Sequence, residues 1–428
     1  MKTPGTRLRS VCRAFVSPAL AVVALAVGSG PAGARDVPQP LPSAADTMQT
    51  SGFAPDSALR DIGDVLASIL GRSTVRTEAE LRPRKGLSIV ALPSIGYNPA
   101  YGVYAGIGAS AGGWLGDPLR TKISIFALNV TYSTQHQLTF QLKSDAWVEG
   151  NGWNLKGDWR YLDTSQPTYG LGPIESQDGG AYPMKFKMWR LYETVYRHVN
   201  GPFYAGLGYH LDYHTDVVDE RAAAGEITPY TVYSRGPATT TTSSGFSANV
   251  LYDTRDNAIS ARHGMYWNAS LRALAKELGG SDSWQMLSSD LRIYPRVPGG
   301  GNRVLAIWST LWMTFGHGPY LDLPAIGWDT YGKTGRGYVQ GRIRAPNQVY
   351  NEVEYRFPLT RDELLGGVVF LSATSSTSES GAFSPLDPAG GLGLRIKFIK
   401  RTRTNLTIDY GWGLHGSKGL YLGTQEMF

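Results

Sequence analysis

The chain of 428 residues carries 41 Lys and Arg, 35 Asp and Glu, and one cysteine. Four of the basic residues lie in the first 34 positions, so removal of that segment would leave 37 basic and 35 acidic residues, a net charge of +2. That balance gives no reason to expect nucleic-acid binding, and one cysteine excludes a disulfide within the chain. The 52 glycines and 24 tyrosines are typical of antiparallel β-structure with many turns.

Residues 1–34 have the pattern of a secretory signal peptide. A basic start is followed by a mostly apolar stretch from Ala14 to Val27, and residues 32–34 (AGA) form an A-x-A cleavage site. Cys12 would be removed with this segment, which leaves no thiol for metal binding or catalysis. We therefore expect export to the periplasm, to the outer membrane or out of the cell.

Residues 35–86 are expected to form an N-terminal linker with one short helix. The Pro- and Ala-rich start predicts an irregular segment. Apolar residues at helical spacing predict an amphipathic helix over about residues 56–71, with Asp56 or Ser57 as its N-cap. This helix would either rest on the domain that follows it, or act as a plug or lie on a lipid surface.

From residue 87 to residue 428, strand-like alternation replaces the helical pattern. Residues 138–143 (LTFQLK) alternate apolar and polar side chains, and residues 265–272 (MYWNASLR) repeat the pattern with arginine on the polar face. Alternation with one apolar face indicates half-buried strands. About sixteen such segments fit into this part of the chain.

The polar face of these strands favours a membrane barrel over a soluble sandwich. Full charges recur on that face, and a dry sandwich core would strongly disfavour them. A water-filled lumen removes this cost, while lipid covers the apolar face. The strands are about ten residues long with Trp and Tyr near their ends. An even number of antiparallel strands can close into a barrel without a free edge. We therefore predict an all-β fold, a transmembrane antiparallel β-barrel of about sixteen strands over residues 87–428.

The segment TGRGYVQGRIR (334–344) places Arg336 between two glycines, inside the longest connection of the barrel. Glycine permits backbone conformations closed to other residues, so a Gly-flanked arginine predicts a tight loop tip aimed at a partner. A buried arginine needs an anion, and a carboxylate can bind it through two hydrogen bonds. By strand alternation the candidate partners are Glu352, Glu354 and Asp409. The alternative is an ordinary exposed arginine on an outer loop.

With these residues the chain resembles the BamA/TamA-like outer-membrane assembly factors, also called bacterial surface antigen barrels. Arg336, Gly337 and Tyr338 match the tip of the long sixth outer loop of that superfamily. The resemblance implies that this loop folds back into the lumen and that its arginine contacts acidic residues on the inner wall. Gly335 stands where the superfamily usually has Val or Ile.

Two further segments resemble the same superfamily. Its strand–turn–strand motif, which usually also has a proline where this chain has alanine, is matched by Asp253, Arg255, Asp256, Asn257 and Gly264. The final residues LYLGTQEMF predict a last strand that ends on Phe428, similar to the signal by which outer-membrane barrels are recognised for assembly.

The resemblance implies a protein of the Gram-negative outer membrane with a weak seam between its first and last strands. In relatives such a seam opens sideways and helps proteins or lipids to enter the membrane. The implied partners are outer-membrane lipid, the barrel assembly machinery during biogenesis, and protein or lipid clients. About fifty residues between the cleavage site and the first strand are too few for a POTRA module, so we expect a barrel-only member.

Two other functions are weighed against this one: a passive or gated outer-membrane pore, and an enzyme inside the barrel. We predict no catalytic residues, because residues 108–112 fit G-x-S-x-G but lie in a glycine-rich strand instead of a strand-to-helix elbow. We also predict no cofactor and no metal. The alternating residues His210, Asp212, His214 and Asp216 could bind a metal, but a hydrated lumen wall explains them equally well.

Overall fold

The computed structural model describes residues 59–71, 85–98, 102–177, 180–297, 302–377, 381–400 and 402–428. The predicted signal peptide and most of the predicted linker lie outside these residues. The described chain begins with a short helix, α1 (Ile62–Ile69), and two further short helices, α2 (Glu220–Ala223) and α3 (Pro229–Ser234), follow later. The strands are β1 Gly86–Asn98, β2 Gly102–Trp114, β3 Ser124–Ser133, β4 Leu138–Val148, β5 Trp153–Thr168, β6 Tyr182–Asn200, β7 Phe203–Asp219, β8 Thr241–Asp253, β9 Gly264–Leu274, β10 Trp284–Tyr294, β11 Val304–Gly316, β12 Asn347–Pro358, β13 Leu365–Ser376, β14 Asp387–Ile399, β15 Thr404–Gly413 and β16 Lys418–Gly423.

All sixteen strands belong to one antiparallel sheet. Each strand pairs with the strand before it and the strand after it, in the order β1 to β16. Consecutive antiparallel strands need only short turns between them, and the long connections β7–β8 and β11–β12 are the main exceptions. The predicted all-β fold with about sixteen strands is confirmed.

The sheet curves until its two ends meet. Thr424, directly after β16, hydrogen-bonds to Ser110 on β2, with 2.8 Å between the two hydroxyl oxygens. Within the described strands, no backbone ladder joins β16 to β1. The closure of the barrel at this seam therefore depends on side-chain contacts instead of a strand pair.

The β11–β12 connection, residues 317–346, lies inside the curved sheet. The hydroxyl oxygen of Tyr320 lies 2.6 Å from that of Thr168 on β5, and farther along the loop Arg336 Nη1 lies 2.9 Å from Asp409 Oδ2 on β15. Contacts with strands ten positions apart in the sheet place the loop in the lumen.

The outer surface of the barrel is apolar. On β12 the side chain of Val353 is exposed, while Glu352 and Glu354 on either side of it are buried. Equivalent exposed positions occur on other strands, among them Ile89, Ile107, Leu207, Phe246, Leu271, Leu371, Leu392, Ile408 and Leu420. An apolar surface of this extent is unfavourable in water and is the surface that lipid covers around a membrane barrel. In the described part of the chain, no helix is long and apolar enough to cross a membrane.

The inner wall carries the predicted charges, but most of these charges are paired with one another. A recurrent arrangement places an arginine two positions after an acid, either on the same face of one strand or, for Asp253 and Arg255, at the end of β8 and just beyond it. The separations are 2.6 Å in Asp158–Arg160, 3.0 Å in Asp253–Arg255, 2.7 Å in Asp290–Arg292 and 2.6 Å in Glu354–Arg356. The lumen is therefore lined by local ion pairs as well as by solvent-facing groups.

Helix α1 is shorter than the helix predicted over residues 56–71. Asp61 is its N-cap: Asp61 Oδ1 accepts the backbone N–H of Asp64, and Asp64 Oδ2 accepts the backbone N–H of Asp61, both at 3.0 Å. Lys400, in the β14–β15 turn, binds Asp64 at 2.8 Å. Reciprocal capping fixes where the helix begins, and periodicity alone does not locate that point. The contact with Lys400 places α1 against the turns at one end of the barrel.

The substitution Leu371→Lys tests whether lipid covers the outer face. Leu371 lies in the middle of β13 and is 70% exposed, so in water a lysine there would cost little. In a bilayer we expect a cost of roughly 2–4 kcal/mol and a lower fraction of chains that fold into lipid vesicles, measured by heat-modifiable migration on gels. The control is Leu119→Lys in the β2–β3 turn, where the leucine is 74% exposed. Equal folding of the two variants would contradict a lipid-covered outer face.

Candidate functional site

Arg336 is fully buried inside the barrel and surrounded by carboxylates. Its Nη2 lies 2.5 Å from Glu352 Oε1 and also contacts Glu354, and its Nη1 lies 2.9 Å from Asp409 Oδ2. The guanidinium carbon lies 3.6 Å from the ring centroid of Phe370. Burial alone would lower the pKa of Arg336, but the three carboxylates raise it well above its usual value. The structure thus brings together the loop arginine and all three of its sequence-predicted partners.

Two further arginines offset the excess of carboxylates around Arg336. Arg395 Nη1 lies 2.6 Å from Asp409 Oδ1, and Arg356 Nη2 lies 2.6 Å from Glu354 Oε2. Both arginines also approach Glu426, Arg395 at 2.7 Å and Arg356 at 3.7 Å. We call these groups the Arg336 network; its members are Arg336, Arg356, Arg395, Glu352, Glu354, Asp409 and Glu426. Removal of one charge would leave the others buried without full compensation, which is strongly destabilising.

Glycines allow the loop tip to lie directly against β15. Gly337 has φ +104°, and a Cβ there would lie 2.8 Å from the carbonyl group of Trp412. A Cβ on Gly411 would lie 2.8 Å from the backbone nitrogen of Gly337, and one on Gly413 would overlap the ring of Tyr338. The glycines of β15 therefore form a depression that accommodates the tip.

The backbone conformation at residue 335 explains why this chain has glycine there, where the superfamily that it resembles usually has Val or Ile. Its φ is +79°, and a Cβ would lie 2.8 Å from side-chain carbons of Ile326. A β-branched residue is strongly disfavoured in this region of backbone space. The backbone before Arg336 is therefore one that only glycine adopts readily.

The loop tip also contacts the last strand. The backbone N–H of Gly337 donates to the hydroxyl of Tyr421 on β16 at 2.9 Å, and that hydroxyl donates to the carbonyl oxygen of Tyr338 at 3.0 Å. Strand β16 has six residues and pairs with β15. Since β16 has no partner strand on its other side within the described strands, these two bonds add to the attachment that its pairing with β15 provides.

Asp322 anchors the first part of the loop, and sequence analysis did not single it out. Its Oδ2 accepts a hydrogen bond from the hydroxyl of Ser243 on β8 at 2.5 Å, and its Oδ1 lies 3.6 Å from His214 Nδ1 on β7. Burial, together with the nearby Asp212 carboxylate, raises the pKa of Asp322 to about 8. Asp322 is therefore protonated at neutral pH and needs no counterion in the lumen.

The predicted turn motif connects β8 to β9. Arg255 binds Asp253 through two hydrogen bonds, Nε to Oδ1 at 3.0 Å and Nη2 to Oδ2 at 3.1 Å. Gly264 has φ +102°, and a Cβ there would overlap the carbonyl oxygen of Thr254. These contacts fix the direction in which the chain leaves β8 and enters β9.

The middle of the same turn reaches across one end of the barrel. Asn257 Oδ1 accepts the backbone N–H of Ile259 at 2.7 Å, and Ile259 packs in a cluster with Ile125 of β3. Asp256 Oδ2 lies 2.5 Å from Arg403 Nη1 in the β14–β15 turn. The turn motif therefore has a structural role, since its residues cover this end of the lumen.

Phe428 does not end a strand, and the prediction of a last strand that runs to it was wrong. Residues 424–428 leave the sheet and turn into the lumen, where the Phe428 ring lies 5.0 Å from the ring of Trp308. Arg356 Nη2 donates to the Phe428 main-chain oxygen at 2.9 Å. The reason is that Glu426 joins the Arg336 network, which is on the inner side of the wall. Long-range charge pairing overrides the local alternation that suggested a strand.

The four alternating residues from His210 to Asp216 do not form a ladder on one face. Asp216 has φ +52°, and its exposed carboxylate pairs with Lys187 at 2.8 Å. Asp212 binds Arg190 at 2.6 Å instead. In the residues that the structure describes, no group of three metal-ligating side chains converges.

Besides Asp322, sequence analysis missed three residues around the loop tip: Arg395, Glu426 and Tyr421. Arg395 and Tyr421 lie on inward-facing positions of β14 and β16, so strand alternation could have identified them. Glu426 could not be found in that way, because it lies beyond the end of the last strand.

No family model and no curated protein matches the sequence. Among solved structures, the crystal structure of BamA from Haemophilus ducreyi lacking POTRA domains 1–3 is similar, with 17% identity, a TM-score of 0.48, and coverage of 80% of this chain and 69% of that chain. CdiB from Acinetobacter baumannii has 12% identity, a TM-score of 0.47, and coverage of 80% and 60%. At these identities, the function has to be inferred from the residues of this chain.

Arg336→Ala should lower the free energy of unfolding by roughly 3–5 kcal/mol, because Glu352, Glu354 and Asp409 would remain buried with less positive charge. The measurement is the denaturant midpoint of the folded barrel in detergent. Arg342→Ala is the matched control, since Arg342 belongs to the same loop but is half-buried and contacts Gln177 instead of a carboxylate. A midpoint of Arg336→Ala equal to that of the wild type would show that the Arg336 network does not stabilise the barrel.

Asp322 should make stability depend on pH. Its folded pKa of about 8 lies above the unfolded value, roughly 3.9, so the folded chain holds a proton that the unfolded chain releases. This contribution is fully present below about pH 4 and is lost as the pH rises to about 8. Between about pH 5 and about pH 8.5, Asp322→Asn should therefore lose less stability than the wild type in denaturant titrations. Asp216→Asn, which removes an exposed acid, should follow the wild type; identical profiles for all three proteins would contradict a raised pKa.

Proposed function

We propose that this chain is an integral outer-membrane β-barrel of the BamA/TamA-like superfamily that aids the insertion or translocation of proteins or lipids. The observation that carries this proposal is the position of Arg336, inside the barrel and bound to Glu352, Glu354 and Asp409. A loop held in the lumen by a charged network, beside an unpaired seam, is an arrangement that can change state without unfolding the barrel.

In this proposal the barrel wall opens at the seam between β1 and β16. Strand β1 has thirteen residues and β16 has six, and no backbone ladder joins them in the described strands. An unpaired strand edge presents backbone donors and acceptors that can pair with another strand. A client strand or a lipid could therefore enter at this position without the loss of an existing ladder.

The loop controls the seam through Tyr421. The tip of the loop, Gly337 and Tyr338, holds Tyr421 of β16 by two hydrogen bonds, while Arg336 holds the tip. Release of Arg336 from its carboxylates would free β16 at the same time. Because the wall residues of the Arg336 network lie on β12, β14 and β15, the wall itself would keep its register.

The apolar outer face supports a location in a membrane, and the signal-like start of the chain supports the outer membrane as that location. Lipid is then the permanent partner of the barrel. The barrel assembly machinery and protein or lipid clients follow from the same proposal.

A gated pore is the second candidate function. A cavity of about 230 Å³ lies in the lumen next to the loop and is lined by charged side chains. Movement of the loop could connect this cavity to both ends of the barrel. A steady conductance in planar bilayers that Arg336→Ala does not change would favour a pore and argue against control by the loop.

A disulfide across the seam tests the proposed opening. The side-chain oxygens of Ser110 and Thr424 are 2.8 Å apart, so Ser110→Cys with Thr424→Cys places two thiols close enough to bond. If the protein assists insertion, its depletion should lower the amounts of other outer-membrane proteins or alter the surface lipid. We expect the oxidised double variant to fail to restore them, and the reduced form to restore them.

The control staple is Thr131→Cys with Thr139→Cys, a register pair of β3 and β4 away from the seam. Oxidation of this pair should leave the restored levels unchanged. Full restoration by the oxidised seam variant would contradict an opening between β16 and β1.

A further inference from the structure

The 230 Å³ cavity is bounded by strands β3 to β11, by the β8–β9 turn, by the β11–β12 connection and by residues 425–428. A water molecule occupies roughly 30 Å³ in the liquid. The cavity can therefore hold several waters or a small polar ligand.

Most of the arginines that line this cavity have a carboxylate partner. The separations are 2.6 Å in Arg190–Asp212, 3.0 Å in Arg255–Asp253 and 2.7 Å in Arg292–Asp290. Paired guanidinium groups of this kind present little net charge to a ligand.

Arg272 on β9 differs from these arginines. Its register partners are Ser247 on β8 and Met286 on β10, so no acid faces it across the sheet. Its Nε is buried and has no hydrogen-bond partner among the described residues. The guanidinium carbon lies 4.7 Å from the ring centroid of Tyr192, which orients the group but does not neutralise its charge.

His210 supplies a second donor on the same cavity wall. Asn249 Nδ2 donates to Ser247 Oγ at 2.8 Å, and Ser247 Oγ lies 2.8 Å from His210 Nε2. The serine hydroxyl is then oriented to donate to Nε2, which places the imidazole proton on Nδ1. In the described part of the chain this Nδ1 is buried without a partner, and the His210 ring lies 4.4 Å from the ring of Tyr192. Arg272 and His210 therefore lie against the same tyrosine, each with an unsatisfied N–H.

A third unsatisfied group is the hydroxyl of Ser270, two positions before Arg272 on the same strand face. Buried donors without acceptors are rare in proteins and usually indicate a bound water, ion or ligand. Several acids line the cavity, and among them Asp158 and Asp290 are paired with arginines. Burial and Asp212 raise the pKa of a further one, Asp322, to about 8, so at neutral pH Asp322 does not repel an anion.

We propose that Arg272, together with His210 and Ser270, binds an oxyanion of the phosphate type in this lumenal cavity. The guanidinium fork matches the geometry of a phosphate group, and the unprotonated oxygens of the oxyanion supply the acceptors that the two N–H groups lack. The phosphate group could belong to a free ion or to a lipid headgroup.

Isothermal titration of the folded full-length chain in non-ionic detergent with inorganic phosphate tests the site. We expect saturable binding that Arg272→Gln weakens at least about tenfold. The affinity of Arg272→Lys should lie between those of the wild type and Arg272→Gln, because lysine keeps the charge but loses the planar fork of donors. Lys276→Gln is the matched control: Lys276 follows β9, is exposed and pairs with Asp282, so its removal should leave binding unchanged.

A short-chain phosphatidylglycerol titrated in the same way distinguishes the sources of the phosphate group. Tighter binding of the lipid identifies a headgroup as the ligand, and tighter binding of the inorganic ion identifies a free phosphate. If the wild type binds neither, the cavity holds water only and the proposal is overturned; binding that Arg272→Gln leaves intact also overturns it. If Arg272→Gln does not fold, Ser270→Ala is measured in its place. Weaker phosphate binding by Ser270→Ala supports the site, and binding as tight as that of the wild type excludes it.

Discussion

The structure depends on the neutralisation of one buried guanidinium. Arg336 has no exposed surface, and a charge in that position is tolerable only because Glu352, Glu354 and Asp409 surround it. The same contacts fix a loop of thirty residues, the β11–β12 connection, inside the barrel. Since the tip of the loop also holds Tyr421 of the last strand, this ion cluster connects the position of the loop to the seam of the barrel.

The inward-facing charges of the barrel wall are neutralised mainly by opposite charges close to them in the sequence. An acid and an arginine two positions apart on one strand face meet without any help from the rest of the fold, as Asp158 and Arg160 do at 2.6 Å. In pairs of this kind the two opposite charges neutralise each other within a short segment of the chain. The loop arginine Arg336 binds Glu352 and Asp409, which have no arginine two positions along their strands, and it also binds Glu354, which already pairs with Arg356.

Much of the fold could be predicted from the sequence because alternation reports which face of each strand is apolar. The strand after the loop shows this, since Glu352 and Glu354 lie inward as their positions required. The end of the chain could not be predicted in the same way. Phe428 lies in the lumen because Glu426 pairs with arginines on other strands, and no local pattern encodes a contact of that kind.

The helix and the site show the same limit. The start of α1 is fixed by two aspartates that cap each other, while periodicity gave only an approximate range. The arginine tip could be recognised from its flanking glycines, but the reason for glycine at 411 lies in the close approach of Gly337, which belongs to a different part of the chain. Apart from the contact of Arg336 with Asp409, contacts between distant segments were thus the part that the sequence alone left open.

Hydrogen–deuterium exchange of the wild-type barrel in bilayers tests the central claim most directly. Backbone N–H groups in residues 317–346 bond to defined partners, such as Gly337 to Tyr421 and Ile326 to Ile343. If the Arg336 network holds the loop in the lumen, these amides should exchange as slowly as those of the neighbouring strands. Exchange as fast as in the exposed β2–β3 turn would show that the loop is free in solvent and would contradict its attachment in the lumen by the Arg336 network.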